Sequence, residues 1–163
     1  VYGATVFSIL NSEEPANLVR AHRVISAASS PPAEIDDVVE LTYDERHRRR
    51  IRMTSAKGRA FLLDLPKAIA LAEGDVLVLE DGSAVRVRAT PEPVVDIHAD
   101  SAHRLTAIAW HVGNRHWPMQ VLEKGLRIRF DPVLVNMIEG LGGNVTEHDA
   151  PFQPEGGAYA HEH

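Results

Sequence analysis

The rhythm of apolar and polar positions changes near residue 90. Before it the pattern has a period of two or comes in short apolar runs. Residues 38–43 are rich in β-formers, 51–54 alternate, and 60–65 form a short apolar run closed by Pro66. Residues 76–79 and 84–88 flank Glu80-Asp81-Gly82-Ser83, a hairpin in which Asp-Gly supplies the positive φ of the turn. Many short strands with turn signals between them predict a small β barrel or sandwich. Residues 65–73 leave room for one or two helical turns. The pair Pro91 and Pro93 predicts a linker at 90–93, since proline fits neither a helix interior nor a central strand.

After the prolines, residues 94–98 read as a strand. Asp100 or Ser101 caps a helix whose apolar positions Leu105, Ile108, Ala109 and Val112 follow the i, i+3, i+4, i+7 spacing, with Gly113-Asn114 as its stop. Residues 119–123 and 126–130 are two strands around Lys124-Gly125. In the second, Leu126, Ile128 and Phe130 alternate with Arg127 and Arg129. Asp131-Pro132 is an N-cap and first helical residue. Leu134, Met137, Ile138 and Leu141 repeat the helical spacing up to Gly142-Gly143, and 144–148 form a last strand. The predicted class is therefore α+β: a small all-β domain over 1–90, then a ferredoxin-like βαββαβ domain over 91–150. Residues 151–163, rich in Gly and Pro, read as a flexible tail containing histidine.

Composition narrows the chemistry. The 163 residues include no cysteine, which removes disulfides, thiolate nucleophiles and Cys-based zinc sites together. The net charge of −6 makes nucleic acid a poor partner. The apolar runs are too short to span a bilayer, and residues 1–10 have neither a basic leader nor a long apolar core, so a cytoplasmic protein is expected. No nucleophile elbow, phosphate loop or His-Glu-x-x-His occurs, so no enzyme is expected.

Histidine is the unusual count, at nine. His116 follows the helix stop, on exposed loop backbone, where imidazole suits zinc, copper or nickel. His111 covers the last helical turn. One histidine per chain cannot hold an ion, so His116 needs partners or a symmetry mate. His161 and His163 point the same way in an extended segment and supply two imidazoles to one ion. His22, His47, His98, His103 and His148 read as surface residues. Residues 46–52 hold five arginines, a solvated turn and edge strand or a dock for an acidic surface.

Gly113-Asn114-Arg115-His116 with Pro118, Arg127-Ile128-Arg129 with Asp131, Val133 and Leu134, and Pro151-Phe152 through Tyr159 together resemble the urease accessory nickel chaperones, the UreE family. The resemblance covers essentially the whole chain. It implies a peptide-binding-like N-terminal β domain and a C-terminal domain that forms a homodimer and binds Ni(II), with Zn(II) or Cu(II) as competitors for the same site. It places His116 of both chains at the dimer interface, with His111 nearby and His161 and His163 in the tail. It implies delivery of nickel for urease activation with an accessory GTPase and the rest of the activation complex. Some members carry two further histidines where Phe130 and Pro132 stand here, so an auxiliary site there is not expected. A protein-interaction module with incidental histidines, or a general Ni/Zn/Cu-binding protein, is the competing reading. A metal-dependent hydrolase lacks a general base that the sequence can name.

Overall fold

The computed structural model describes residues 18–29 and 34–156. Its first half is one six-stranded sheet built from β1 (Arg20–Ile25), β2 (Val38–Leu41), β3 (Arg50–Thr54), β4 (Ala60–Asp64), β5 (Val76–Leu79) and β6 (Ala84–Ala89), in the order β2-β6-β5-β1-β4-β3. The expected hairpin joins β5 to β6, with Gly82 at φ +84°. Alternate residues form the core: Val39 and Leu41, Met53, Phe61 and Leu63, Leu77 and Leu79, Val85 and Val87. This is the period-two burial of a sheet with one dry face.

Two features of this half depart from expectation. β1, in the middle of the sheet, carries no clean alternation, because its register against β5 shifts between Ala21 and Arg23. Residues 65–73 form no helix. Their backbone N–H groups find acceptors outside any helix: Leu65 N donates to the distant Arg49 O, Leu71 N to the distant Arg46 O and Ala72 N to the nearby Asp75 carboxylate. The buried Leu65 and Leu71 enter the core from this irregular path.

The second half runs β7 (Glu92–His98), α1 (Ala102–Asn114), β8 (Gln120–Leu122), β9 (Gly125–Arg129), α2 (Pro132–Gly140) and β10 (Asn144–Ala150), with sheet order β10-β7-β9-β8. All three pairings are antiparallel. This is the ferredoxin-like arrangement, with Ile108, Val112, Leu134, Val135 and Ile138 packed on Val95, Ile97, Leu126 and Ile128. Both helix starts are capped as the sequence indicates: the Ser101 hydroxyl accepts from Arg104 N and the Asp131 carboxylate from Leu134 N. Phe130 is a correction. It lies past the end of β9 and is 43% exposed rather than continuing the buried face of Leu126 and Ile128.

The proline pair is a second correction. Pro93 lies inside β7, between β10 and β9, opposite Asp149. Its carbonyl accepts from Phe130 N, so the edge where its N–H is missing faces β9 just beyond the last paired residue, Arg129. Only the reciprocal bond to Phe130 O is forgone, at the very end of the β7–β9 pair, and the β7–β10 ladder is untouched, which answers the usual objection to a strand proline.

On the sheet face opposite the helices, Asp96 and Arg127 stand directly across the β7–β9 pair. They form a two-bond fork of 2.6 and 2.9 Å, and His148 Nε2 lies 2.9 Å from the same carboxylate. The Arg127 hydrogen bonds hold the Asp96 carboxyl below its ordinary range, with His148 adding to them and partial burial opposing. A folded value below the unfolded one means the pair stabilises above the ordinary carboxylate pKa and the contribution fades on acidification. Asp96→Asn is therefore expected to lower the urea midpoint at pH 7, by an amount equivalent to about 1–3 kcal/mol. The gap between the two proteins should close as pH falls below about 4. Parallel urea titrations at neutral and acidic pH check this.

Candidate functional site

α1 does not stop at Gly113. It runs through Asn114 with Arg115 as its C-cap, and the chain turns at the next residue, His116, with φ at +55°. His116 N donates to Gly113 O at 2.9 Å and Trp117 N to Val112 O at 3.4 Å. These are the two bonds of a Schellman motif with His116 at the left-handed position. Trp117 packs against the core that holds Val112, the apolar contact that accompanies this motif. Pro118 follows, where the helix cannot resume.

α2 ends by the same motif: Gly142 N donates to Glu139 O and Gly143 N to Ile138 O, both at 2.9 Å. There the left-handed residue is Gly142, at φ +84°. The fold thus needs a left-handed residue at two helix ends and fills one with glycine and the other with histidine. His116 is the single non-glycine residue with positive φ among the described residues. Backbone held in this region by a side-chain-bearing residue clusters at functional sites. The ring is exposed, at the tip of the loop between α1 and β8.

His111 lies one and a half turns back on α1. It is half-buried, and its ring meets Trp110 edge to face with centroids 5.0 Å apart. Its carbonyl accepts from the Arg115 guanidinium at 3.0 Å. No group of three or more His, Asp or Glu able to hold a metal exists among the described residues. One chain therefore does not assemble a closed centre from His111 and His116. His161 and His163 lie outside the described residues. Three other histidines are engaged locally: His47 Nδ1 with Tyr43 O, His98 Nδ1 with Lys124 O, and His148 with Asp96. An open cleft of ≈ 250 Å³ beside His148 is lined by Pro93, Val94, Phe130, Glu147 and Asp149. Its histidine is thus already committed to the Asp96 fork.

The sequence places a flexible tail from residue 151, and here the structure corrects it. Residues 151–156 form a strap fixed at successive points. Phe152 is fully buried against Val94, Ala150 and Tyr43, its ring 5.3 Å from the Tyr43 ring. Arg127 donates to Pro151 O at 3.3 Å, and the Arg46 guanidinium donates to Phe152 O and to Gln153 Oε1. Gln153 N then donates to the Gln120 side chain at 3.0 Å, and Glu155 N to Met119 O at 2.9 Å. The Glu155 carboxylate accepts in return from Val121 N at 3.2 Å. The strap carries the chain from β10 to the β8 edge and ends beside Met119, three residues beyond His116. Sequence reasoning missed this because Gly and Pro hide a run whose hold is one aromatic ring plus partners 24 to 107 residues away.

His116→Gly is expected to raise the melting temperature. It recovers part of the roughly 1–3 kcal/mol that left-handed backbone costs a non-glycine residue. Calorimetric melting of the two proteins without added metal checks the direction.

Comparison with known proteins covers both halves. Residues 18–90 match the family model for the UreE urease accessory protein, N-terminal domain, and residues 92–163 match its C-terminal domain. A urease accessory protein UreE of Bradyrhizobium sp. (strain BTAi1) is 52% identical over 88% of this chain and 69% of its own length. The protein of the same description from Chelativorans sp. (strain BNC1) is 49% identical over 83% of this chain and 89% of its own. That from Beijerinckia indica is 47% identical over 88% and 82%. With both halves matched in order and relatives at about half identity, the chain belongs to the urease accessory protein UreE family.

Proposed function

We propose that this protein is a homodimeric, non-catalytic nickel carrier. It binds Ni(II) between the His116 rings of two copies and donates the ion for assembly of the urease active site. The observation that carries the reading is His116 itself: an exposed imidazole at a left-handed helix end where the companion helix uses glycine. A second copy supplies the second nitrogen that one chain lacks, and two-fold symmetry does so with no further residue. The end of α1 that bears His116 also leaves Trp110 63% exposed, and Val133 at the start of α2 is 74% exposed. Large apolar side chains in water are what a partner surface covers.

The strap supports a role for the tail. His161 is five residues beyond Gly156, a reach of at most about 18 Å from a point beside the His116 loop. Two tail imidazoles, His161 and His163, raise the nitrogen count toward the four to six ligands that suit Ni(II), with His111 as a neighbour. Zn(II) and Cu(II) compete for such a donor set. A site completed by several imidazoles, each bound singly, can lose its ligands stepwise to a recipient, which fits transfer better than storage. The recipient side is an accessory GTPase and the urease activation complex. In this reading residues 1–90 and 91–150 are the two domains, and the second holds the dimer and the metal. No described helix is long and apolar enough to cross a membrane, and the place of action is the cytoplasm.

His116→Ala is expected to abolish tight nickel binding while light scattering still reports a dimer. Unchanged nickel affinity by calorimetry, or a monomeric wild-type mass at micromolar concentration with nickel present, would overturn the reading. Ending the chain at residue 160 should weaken binding without abolishing it, since both His116 rings remain. Imidazole binds a metal only when neutral, so affinity should fall on acidification, with protons released on binding. Nickel titrations at two pH values in two buffers of different ionisation heat measure both effects.

A further inference from the structure

Each sheet has two edges, and the chain itself engages one edge of each. β8 is covered by the strap, through Glu155 N on Met119 O and Val121 N on the Glu155 carboxylate. β2 is four residues long, and the carbonyl of its first residue, Val38, accepts from Ala56 N at 2.7 Å. The other two edges are β3 and β10, whose single sheet neighbours are β4 and β7. They carry opposite charge. β3 lies in the arginine-rich run 46–52. Arg46 of that run is fully buried in the 3₁₀ turn Glu45–His47, which corrects the view of the run as a uniformly solvated turn. Arg48, Arg49 and Arg52 are exposed. β10 is exposed from Thr146 to Asp149 and carries Glu147 and Asp149. Arg52, Glu147 and Asp149 form no ion pair among the described residues.

The backbone of both edges is turned toward a neighbour. Leu65 N on Arg49 O and Ser55 N on Arg59 O bracket the β3–β4 pair. Ile51 and Met53 therefore exchange bonds with β4, while Arg52 and Thr54 turn theirs outward. In the second sheet Phe130 N on Pro93 O commits Val95 and Ile97 to β9. That leaves Val94 and Asp96 to bond His148 and Thr146 of β10, so Val145, Glu147 and Asp149 face outward. The side chains of these three share one face, the one on which Val145 packs against the helical core. Glu147 and Asp149 also line the open cleft of ≈ 250 Å³ together with Phe130. A guanidinium entering there meets two carboxylates and an aromatic ring, the surroundings that suit arginine.

We propose that β3 of one copy adds to β10 of a second copy as an antiparallel strand, joining their sheets. Outward residues then stand opposite outward residues and exchange two hydrogen bonds, with Glu147 opposite Arg52 and Val145 opposite Thr54. Opposite charges and a β-branched pair both favour cross-strand contact. Like edges reject each other: β10 against β10 about a two-fold sets acid beside acid, and β3 against β3 sets arginine beside arginine. The complement of each edge is the other edge, and a second copy carries it. The net charge of −6 does not oppose the contact at physiological salt, since charges farther apart than about 8 Å are screened there. The contact is heterologous, so it links copies in a row or a ring and is separate from any two-fold interface. Two short strands bury less than the roughly 1,200 Å² of a stable interface, so the association is weak and shows at high concentration.

Sedimentation equilibrium of the full chain, with chelator present to remove metal, tests this from micromolar to millimolar concentration. The mass should rise with concentration. Glu147→Arg and Arg52→Glu should each weaken the association about tenfold. Both positions are exposed, so the melting temperature should stay the same. An equal mixture of the two variants should regain association to within about twofold of the unaltered protein. In the mixture the reversed β10 of one variant meets the reversed β3 of the other, and their unaltered edges also match. Amide exchange at high concentration should slow at Arg52 and Thr54 and at Val145, Glu147 and Asp149 together. A mass that stays constant up to millimolar overturns the proposal. So do single variants that associate as well as the unaltered protein, a mixture no better than either variant alone, or slowed exchange at one edge only. The nickel reading is decided separately, by His116→Ala with nickel present.

Discussion

Strand β7 is the constraint on which the rest depends. It follows β6 after two residues and at once becomes a central strand of the second sheet, paired with β10 on one side and β9 on the other. Its residues alternate between two duties. Val95 and Ile97 face the helices and close the ferredoxin-like core. Glu92, Val94 and Asp96 serve the opposite side: Glu92 holds Tyr43 N, Val94 packs on Phe152, and Asp96 receives the Arg127 fork. The period of two in one strand thus ties the second core to the junction with the first half. A slip of one residue would exchange these duties and break both.

From that junction the site is built by relay. Arg127, held by Asp96, reaches Pro151, and the strap then crosses to Gln120 and Met119. The loop at His116 is set by other means, the backbone geometry that ends α1. Each of these anchors is ordinary taken singly. Together they bring the beginning of the tail to the loop that bears an exposed, left-handed histidine, although 35 residues of sequence separate Met119 from Pro154.

Much of this was legible in the sequence. The ferredoxin-like half could be read almost element by element, because helix caps, glycine stops and amphipathic spacing are local signals. Ser101, Asp131 and Gly142 stand where their chemistry demands. The first half was harder. Its β1–β4 and β2–β6 pairs are parallel and join distant segments, and the bulge in β1 blurs the alternation. Pro93 misled because a proline's cost depends on which neighbour its missing N–H faces, and only the paired strands reveal that. His116 was visible as an exposed candidate, but its backbone conformation was not, since Gly113 offered itself as the natural stop. Arg46 was read with its neighbours as surface charge. Nothing in a run of arginines distinguishes the one whose carbonyl and amide partners come from the far end of the chain.

That distance has a consequence for how the protein is made. Arg46 and Gln153 are 107 residues apart in the chain. At synthesis rates of roughly 5–20 residues per second, about 5–20 s pass between the appearance of the guanidinium and that of its acceptors. Through that interval the first half holds an arginine that burial would strand with only the Leu71 carbonyl for a partner. Its turn must stay open to water until the last strand and strap are added. The first domain thus completes its packing only once Phe152 and Gln153 have been made, together with the segment that leads to the histidines.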